Sequence, residues 1–181
     1  MNPFFYKSKQ RTGQIIIEAI IASSVLVVGL LGITALLASS FRMNRVVSDD
    51  YIATYLAAEG IEVVKNIIDH NLIIKANPWY SGLTCSGNTC NFEVDYGNTT
   101  PIPLFGTPRN ILLSSANGFY GYASGSPTNF TRMITVTFPS QYWNGSTYYG
   151  INVRSRVEWS SGGFRSSVVL EDMFFDWRPK T

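Results

Sequence analysis

Glu18 is the one charged residue between Thr12 and Phe41, set in a run of isoleucine, leucine, valine and alanine. A carboxylate near the middle of a bilayer costs on the order of 3 kcal/mol and less near its edge, so it reads either as a tolerated interfacial charge or as a group awaiting a cation. The nearest cation the chain can create is an α-amine. Cleavage after Gly13 would make Gln14 the first residue and place its ammonium one helical turn from Glu18, where an acid also suits the helix dipole. Cys85 and Cys90, in TCSGNTC, are the only cysteines. Gly-Asn turn chemistry between them and an oxidising environment outside the cytoplasm point to a local disulfide, contributing about 2 kcal/mol in the chain-entropy model. Zinc would need two more ligands and His70 is the only histidine, while thioredoxin-like redox work uses a closer C-x-x-C spacing. Glu93 and Asp95 alternate onto one strand face as a glycosidase pair would, and are read as two solvated side chains on an outer face.

The rest of the inventory argues against catalysis. No nucleophile elbow, Walker loop or HExxH occurs, and a lone histidine near a helix end is a poor setting for a triad. No catalytic residue, metal ligand, cofactor or small-molecule substrate is therefore expected. The formal charge of +2 comes from 14 basic and 12 acidic residues, but Lys7, Lys9 and Arg11 all precede Gly13. Without those three the balance is eleven against twelve, a net of −1. Nucleic-acid binding, which needs a clustered basic face, is not expected.

The elements that must position these groups begin with the apolar run. Ala19 to Phe41 is 23 residues without a charge, about 34 Å of helix, enough to span a bilayer. Basic residues before it and a largely polar chain after it predict the N-terminus inside and the C-terminal part outside. Ala35 to Ser40 offers only a loose signal-peptidase site, so an uncleaved signal anchor explains the length and flanks but not Glu18. Beyond Arg42 the pattern becomes periodic: Ala53, Leu56, Ala57, Gly60, Ile61, Val64, Ile67 and Ile68 fall on one helix face, with Glu59, Glu62, Lys65 and Asn66 opposite. No proline lies between residues 14 and 77, which predicts one helix from about Gln14 to about His70, roughly 85 Å long. Its first half would lie in lipid or a filament core and its second half under a globular head. Ser48 to Asp50 is read as a solvated face, the alternative being a cap at a helix break. Gly29 and Gly32 weaken the helix by about 1 kcal/mol each relative to Ala.

The segment KSKQRTGQIIIEAIIASSVLVVGLLGITALL resembles the prepilin signature of type IV pilins and type II secretion pseudopilins: a basic leader, Gly at the cut, Glu five residues into the mature chain, then a hydrophobic helix. YLAAEGIEVVKNI, Tyr55 to Ile67, resembles the LAxEG(I/L)E stretch of PilV-type minor pilins and of minor pseudopilins near filament tips. The resemblance implies cleavage after Gly13 by prepilin peptidase, a membrane aspartyl enzyme, and pairing of Glu18 with the mature N-terminal amine of a neighbouring subunit. Gln14 becomes a candidate for N-methylation. It stands where the family most often has Phe, and an unmethylated N-terminal Gln can cyclise and lose its charge. The implied partners are other pilin or pseudopilin subunits, the peptidase and an inner-membrane assembly platform. The implied location is the inner membrane, single-pass with the head outside, and then a pilus or the cell surface.

Asn77-Pro78 ends the helical pattern, and four alternating runs follow as strands: Asn91 to Tyr96, Arg132 to Phe138, Ile151 to Trp159, and Phe164 to Glu171. In the third, Ile151, Val153, Val157 and Trp159 face one way and Asn152, Arg154, Arg156 and Glu158 the other, giving a sheet with one wet face; SSGG then closes a hairpin to the fourth. The fold class expected is α+β, a long N-terminal helix packed by its second half on an antiparallel sheet head, as in pilins. The divisions are a cleaved leader at 1–13, a hydrophobic helix at 14–41, its amphipathic continuation at 42–70 and a β-rich head at 71–181. The aromatic MFFDWRP, Met173 to Pro179, should dock against the core. Tyr120, Tyr122, Tyr142, Trp143, Tyr148 and Tyr149 sit in Gly/Asn/Ser-rich loops that would bind sugar, a surface or a subunit, or anchor a small core. Asn98, Asn129 and Asn144 fit N-x-S/T sequons. The alternative to a filament subunit is a signal-anchored surface protein whose head binds a ligand.

Overall fold

The computed structural model of the protein describes residues 12–97, 100–104, 106–161 and 163–178. The basic leader up to Arg11, the sequon residue Asn98 and Pro179 of the tail lie outside the described residues. The chain divides into two compact units, Met1–Arg45 and Val46–Thr181.

Helix α1 runs over Thr12–Ile73, 62 residues, slightly longer at both ends than periodicity predicts. It continues through Gly29, Gly32 and Ser48 to Asp50, so the acidic pair is a face of the helix and not the cap of a second one. Within the apolar part, the hydroxyls of Ser23, Ser24 and Thr34 donate to the carbonyls of Ile20, Ile21 and Leu31 at 2.8–3.0 Å, so these polar groups are satisfied inside their own helix. The helix stops at Ile73, five residues before Pro78. Lys75 takes a left-handed conformation (φ 55°) and the Ala76 N–H reaches back to the Asn71 carbonyl at 2.8 Å, the six-to-one bond that closes a helix end.

Val46–Thr181 carries the sheet. Its seven strands are β1 (Thr89–Glu93), β2 (Ile102–Pro103), β3 (Asn110–Leu113), β4 (Tyr120–Gly121), β5 (Ser126–Thr137), β6 (Gly150–Ser161) and β7 (Phe164–Phe175), all antiparallel to their neighbours. β5 is the spine. One edge pairs with β6, and the other edge with β1 along Ile134–Thr137 and with β3 along Ser126–Thr131. β6 and β7 form a hairpin in continuous register from Gly150↔Phe175 to Ser161↔Phe164, with Gly163 at φ 86° supplying a backbone conformation that L residues avoid. Three of the four strands read from the sequence are present and longer than alternation showed, while the first, read as Asn91 to Tyr96, is displaced to Thr89–Glu93 and leaves Val94 to Tyr96 outside the ladder. Three further short strands, β2 to β4, arise from stretches the sequence reading left as loop.

The core follows period-2 burial. Phe130, Arg132, Ile134 and Val136 of β5 and Ile151, Val153, Ser155, Val157 and Trp159 of β6 face inward, against Ala53, Leu56, Ala57, Val64, Ile68 and Leu72 of α1. Gly60 lets helix and sheet approach closely: a Cβ there would sit 2.6 Å from Ser155 Oγ and 2.7 Å from Ile134 Cδ1. The aromatic tail docks in part, since Phe174 is half-buried against the core while Phe175 and Trp177 are exposed.

Candidate functional site

Gly13 and Gln14 lie in the first turn of α1 and Glu18 stands one turn on, so the residues named for cleavage, methylation and assembly share one exposed helical segment. The side chains around them are apolar on every side: Ile15, Ile16, Ile17, Ile20 and Ile21 are all exposed, and so is every residue from 13 to 48. A helix apolar all round has no stripe to press against a sheet and needs lipid or other helices about it. α1 is long and apolar enough to cross a membrane. No ion pair of Glu18 is present among the described residues.

Cys85, in the loop leading into β1, and Cys90, within β1, form a disulfide with 5.7 Å between their Cα atoms. The bridge lies in Val46–Thr181 and the Gly13–Glu18 segment in Met1–Arg45. Among the described residues no group of three or more His, Cys, Asp or Glu side chains is arranged to hold a metal ion.

No protein-family model, curated protein or solved structure matches this chain.

Two buried charge clusters in the head were not read from the sequence. Arg132 is 1% exposed. Its Nη1 donates to the Leu56 carbonyl of α1 at 2.8 Å and its Nη2 to the Val94 carbonyl at 2.7 Å, which ties helix, spine strand and the chain after β1 at one point. Glu59 Oε1 lies 3.2 Å from Nη1 as its counter-charge, in ion-pair contact without hydrogen-bond alignment. The Leu56 carbonyl already accepts its own helical N–H, so the guanidinium adds a second bond there, while it gives the Val94 carbonyl, outside the strand, a buried donor. The signal was present: Arg132 shares parity with Ile134, Val136 and Phe138, which makes it a core position.

The second cluster corrects the reading of Glu93 and Asp95. They are 2% and 7% exposed and not solvated, because the segments carrying Arg109 and Tyr122 lie over the face that alternation assigned to water. Both Glu93 oxygens accept hydrogen bonds from Arg109, Oε1 from its backbone N–H and Oε2 from Nε, each at 2.7 Å. Asp95 lies beyond the end of β1 and accepts the Tyr122 N–H at 3.2 Å. The Glu93 hydrogen bond holds the Arg109 guanidinium above its ordinary pKa, while burial pushes the Tyr122 phenol up. The Arg109 guanidinium stands 5.0 Å from the centre of that phenol ring. With one carboxylate neutralised and the other fixed by backbone, the pair is not the two-acid arrangement of a glycosidase.

The loop aromatics divide. Tyr120 and Tyr122 pack half-buried against the core, Trp143 and Tyr148 join tilted and edge-on ring contacts that reach Tyr80 and Phe138, and Tyr142 and Tyr149 form a separate edge-on group with Phe175. Of the sequons, Asn129 donates to the Ser160 carbonyl, and the Asn144 side chain accepts the N–H groups of Ser146 and Thr147 within its own turn.

Proposed function

We propose that the chain is a minor pilin or pseudopilin, processed after Gly13 and assembled through α1 into a type IV pilus or related filament. The observation that carries this reading is an exposed helical segment, apolar on all sides, that bears one carboxylate a single turn beyond the Gly13–Gln14 bond. Cut there, the chain presents an α-amine one helical turn before Glu18, and packing of like helices with a small axial offset would join the amine of one subunit to the carboxylate of the next. The assembly partners are other pilin or pseudopilin subunits, with prepilin peptidase and an inner-membrane platform acting before them. The Cys85–Cys90 disulfide supports a head that matures in an oxidising compartment.

Replacement of Glu18 by Ala tests the assignment. Processing and membrane insertion should continue, and the amount of chain recovered in sheared filaments should fall sharply; equal recovery of variant and wild type removes the role given to the carboxylate. The competing reading, a signal-anchored surface protein with a ligand-binding head, keeps its leader and gains no filament fraction.

A further inference from the structure

On the head, Tyr96 forms a wall common to two depressions. The larger, about 520 Å³, lies between the last turns of α1 and the segments that follow it; the smaller is about 300 Å³. Together they lie in the size range of small-molecule sites. The Tyr96 ring is 55% exposed yet fixed from one flank by Phe119, with ring centroids 5.5 Å apart and planes at 68°. It is held without being covered.

The chemistry of the two sides is distinctive. In the larger depression Ile67 and Ile74 supply apolar wall, and Asn66, His70 and Ser81 supply polar groups. Among the described residues that line it there is no Asp, Glu, Lys or Arg. The side chains of Asn66, His70 and Ser81 have no hydrogen-bond partner among the described residues, so an amide, an imidazole and a hydroxyl are left to serve a guest. In the smaller depression Asp95 and Arg109 stand as acceptor and donor, each already fixed, Asp95 by the Tyr122 N–H and Arg109 by Glu93. Arg109 brings no net positive charge there because Glu93 neutralises it.

We propose that this groove binds a neutral oligosaccharide of two or more sugar units, lying astride Tyr96. A pyranose offers C–H faces that stack on an exposed aromatic ring and a rim of hydroxyls that each need a donor or acceptor; the groove offers both, and its uncharged larger half gives no reward to an ionic ligand. The proposal stands independently of the filament reading, since it uses only residues of the head.

The test is binding of the full chain, held in lipid nanodiscs free of sugar-based detergent, to an array of neutral and of sialylated or uronic oligosaccharides. Neutral oligosaccharides should bind, and the corresponding monosaccharides about tenfold or more weakly. Tyr96→Ala should lose about tenfold or more of the affinity, while Tyr96→Phe, which keeps the ring, should retain it. Asn66→Ala, on an exposed helix face, gives a second probe whose folding does not depend on the aromatic pair, and several-fold weaker binding is expected. Binding of no neutral oligosaccharide, preference for the anionic ones, or wild-type affinity in both Tyr96→Ala and Asn66→Ala would overturn the assignment.

Discussion

Ile33 and Val64 belong to one helix and one residue class, and their surroundings are opposite. Ile33 is exposed among neighbours as apolar as itself, whereas Val64 is fully buried among Phe92, Ile134 and Val153. The difference lies in the distribution of apolar residues around the axis. Between Ile15 and Phe41 apolar side chains occupy every face, so no orientation could bury them against one sheet. From Ala53 to Leu72 they keep to one stripe with Glu62 and Lys65 on the far side, and the sheet covers that stripe. A single helix is thus written for two solvents, a protein core for its second part and lipid or other helices for its first.

The contrast breaks most visibly at Arg132. Arg132→Ala removes the second hydrogen bond to the Leu56 carbonyl, leaves the Val94 carbonyl without its guanidinium donor and the charge of Glu59 without its partner, and should cost the head about 3 kcal/mol in urea unfolding of the full chain followed by near-UV circular dichroism. Ile33→Ala, measured alongside, should leave that transition in place; an equal loss would mean the two halves of α1 do not face different surroundings. Ile33→Arg should reverse the pattern. The head transition stays while membrane retention on alkaline extraction weakens, since a central arginine costs on the order of 3 kcal/mol in a bilayer. Removing the bridge with Cys85→Ser and Cys90→Ser together should lower head stability by about 2 kcal/mol without altering retention. The smallest effect belongs to Glu171, whose carboxyl is held below its ordinary pKa first by the hydrogen bond from Asn152 and then by Arg154. A depressed folded pKa gives stability that is present above the ordinary value of 4.5 and is lost as pH falls through the folded value. Glu171→Gln should therefore flatten slightly the acid limb of the stability curve below that pH.

Much of this architecture was legible because its signals are repetitive. The stripe from Ala53 to Ile68 and the alternation from Ile151 to Trp159 each repeat one rule several times, and both fell on the faces expected. The β2, β3 and β4 strands span only 2, 4 and 2 residues, too short for any alternation to accumulate, and they exist through pairing, β2 with β1, β3 with β5 and β4 with β3. Glu93 and Asp95 misled for a related reason. Alternation shows which face a side chain takes but not whether a distant loop will cover that face, and Arg109 and Tyr122 do cover it. Arg132 was readable by parity and overlooked because an arginine is rarely expected inside. At the N-terminus, Glu18 stood out as a lone charge in an apolar run, and Gly13 and Gln14 drew notice through their spacing from it and through the resemblance to the prepilin signature; the structure adds that all three share one helical, exposed segment.

The central claim is that the chain acts after its leader is removed, and N-terminal peptide mass spectrometry on membrane and sheared-filament material tests it directly. The account predicts a chain beginning at Gln14, either carrying an N-methyl group or a free amine able to face Glu18. An intact Met1, or a first residue near Ser39, would contradict it.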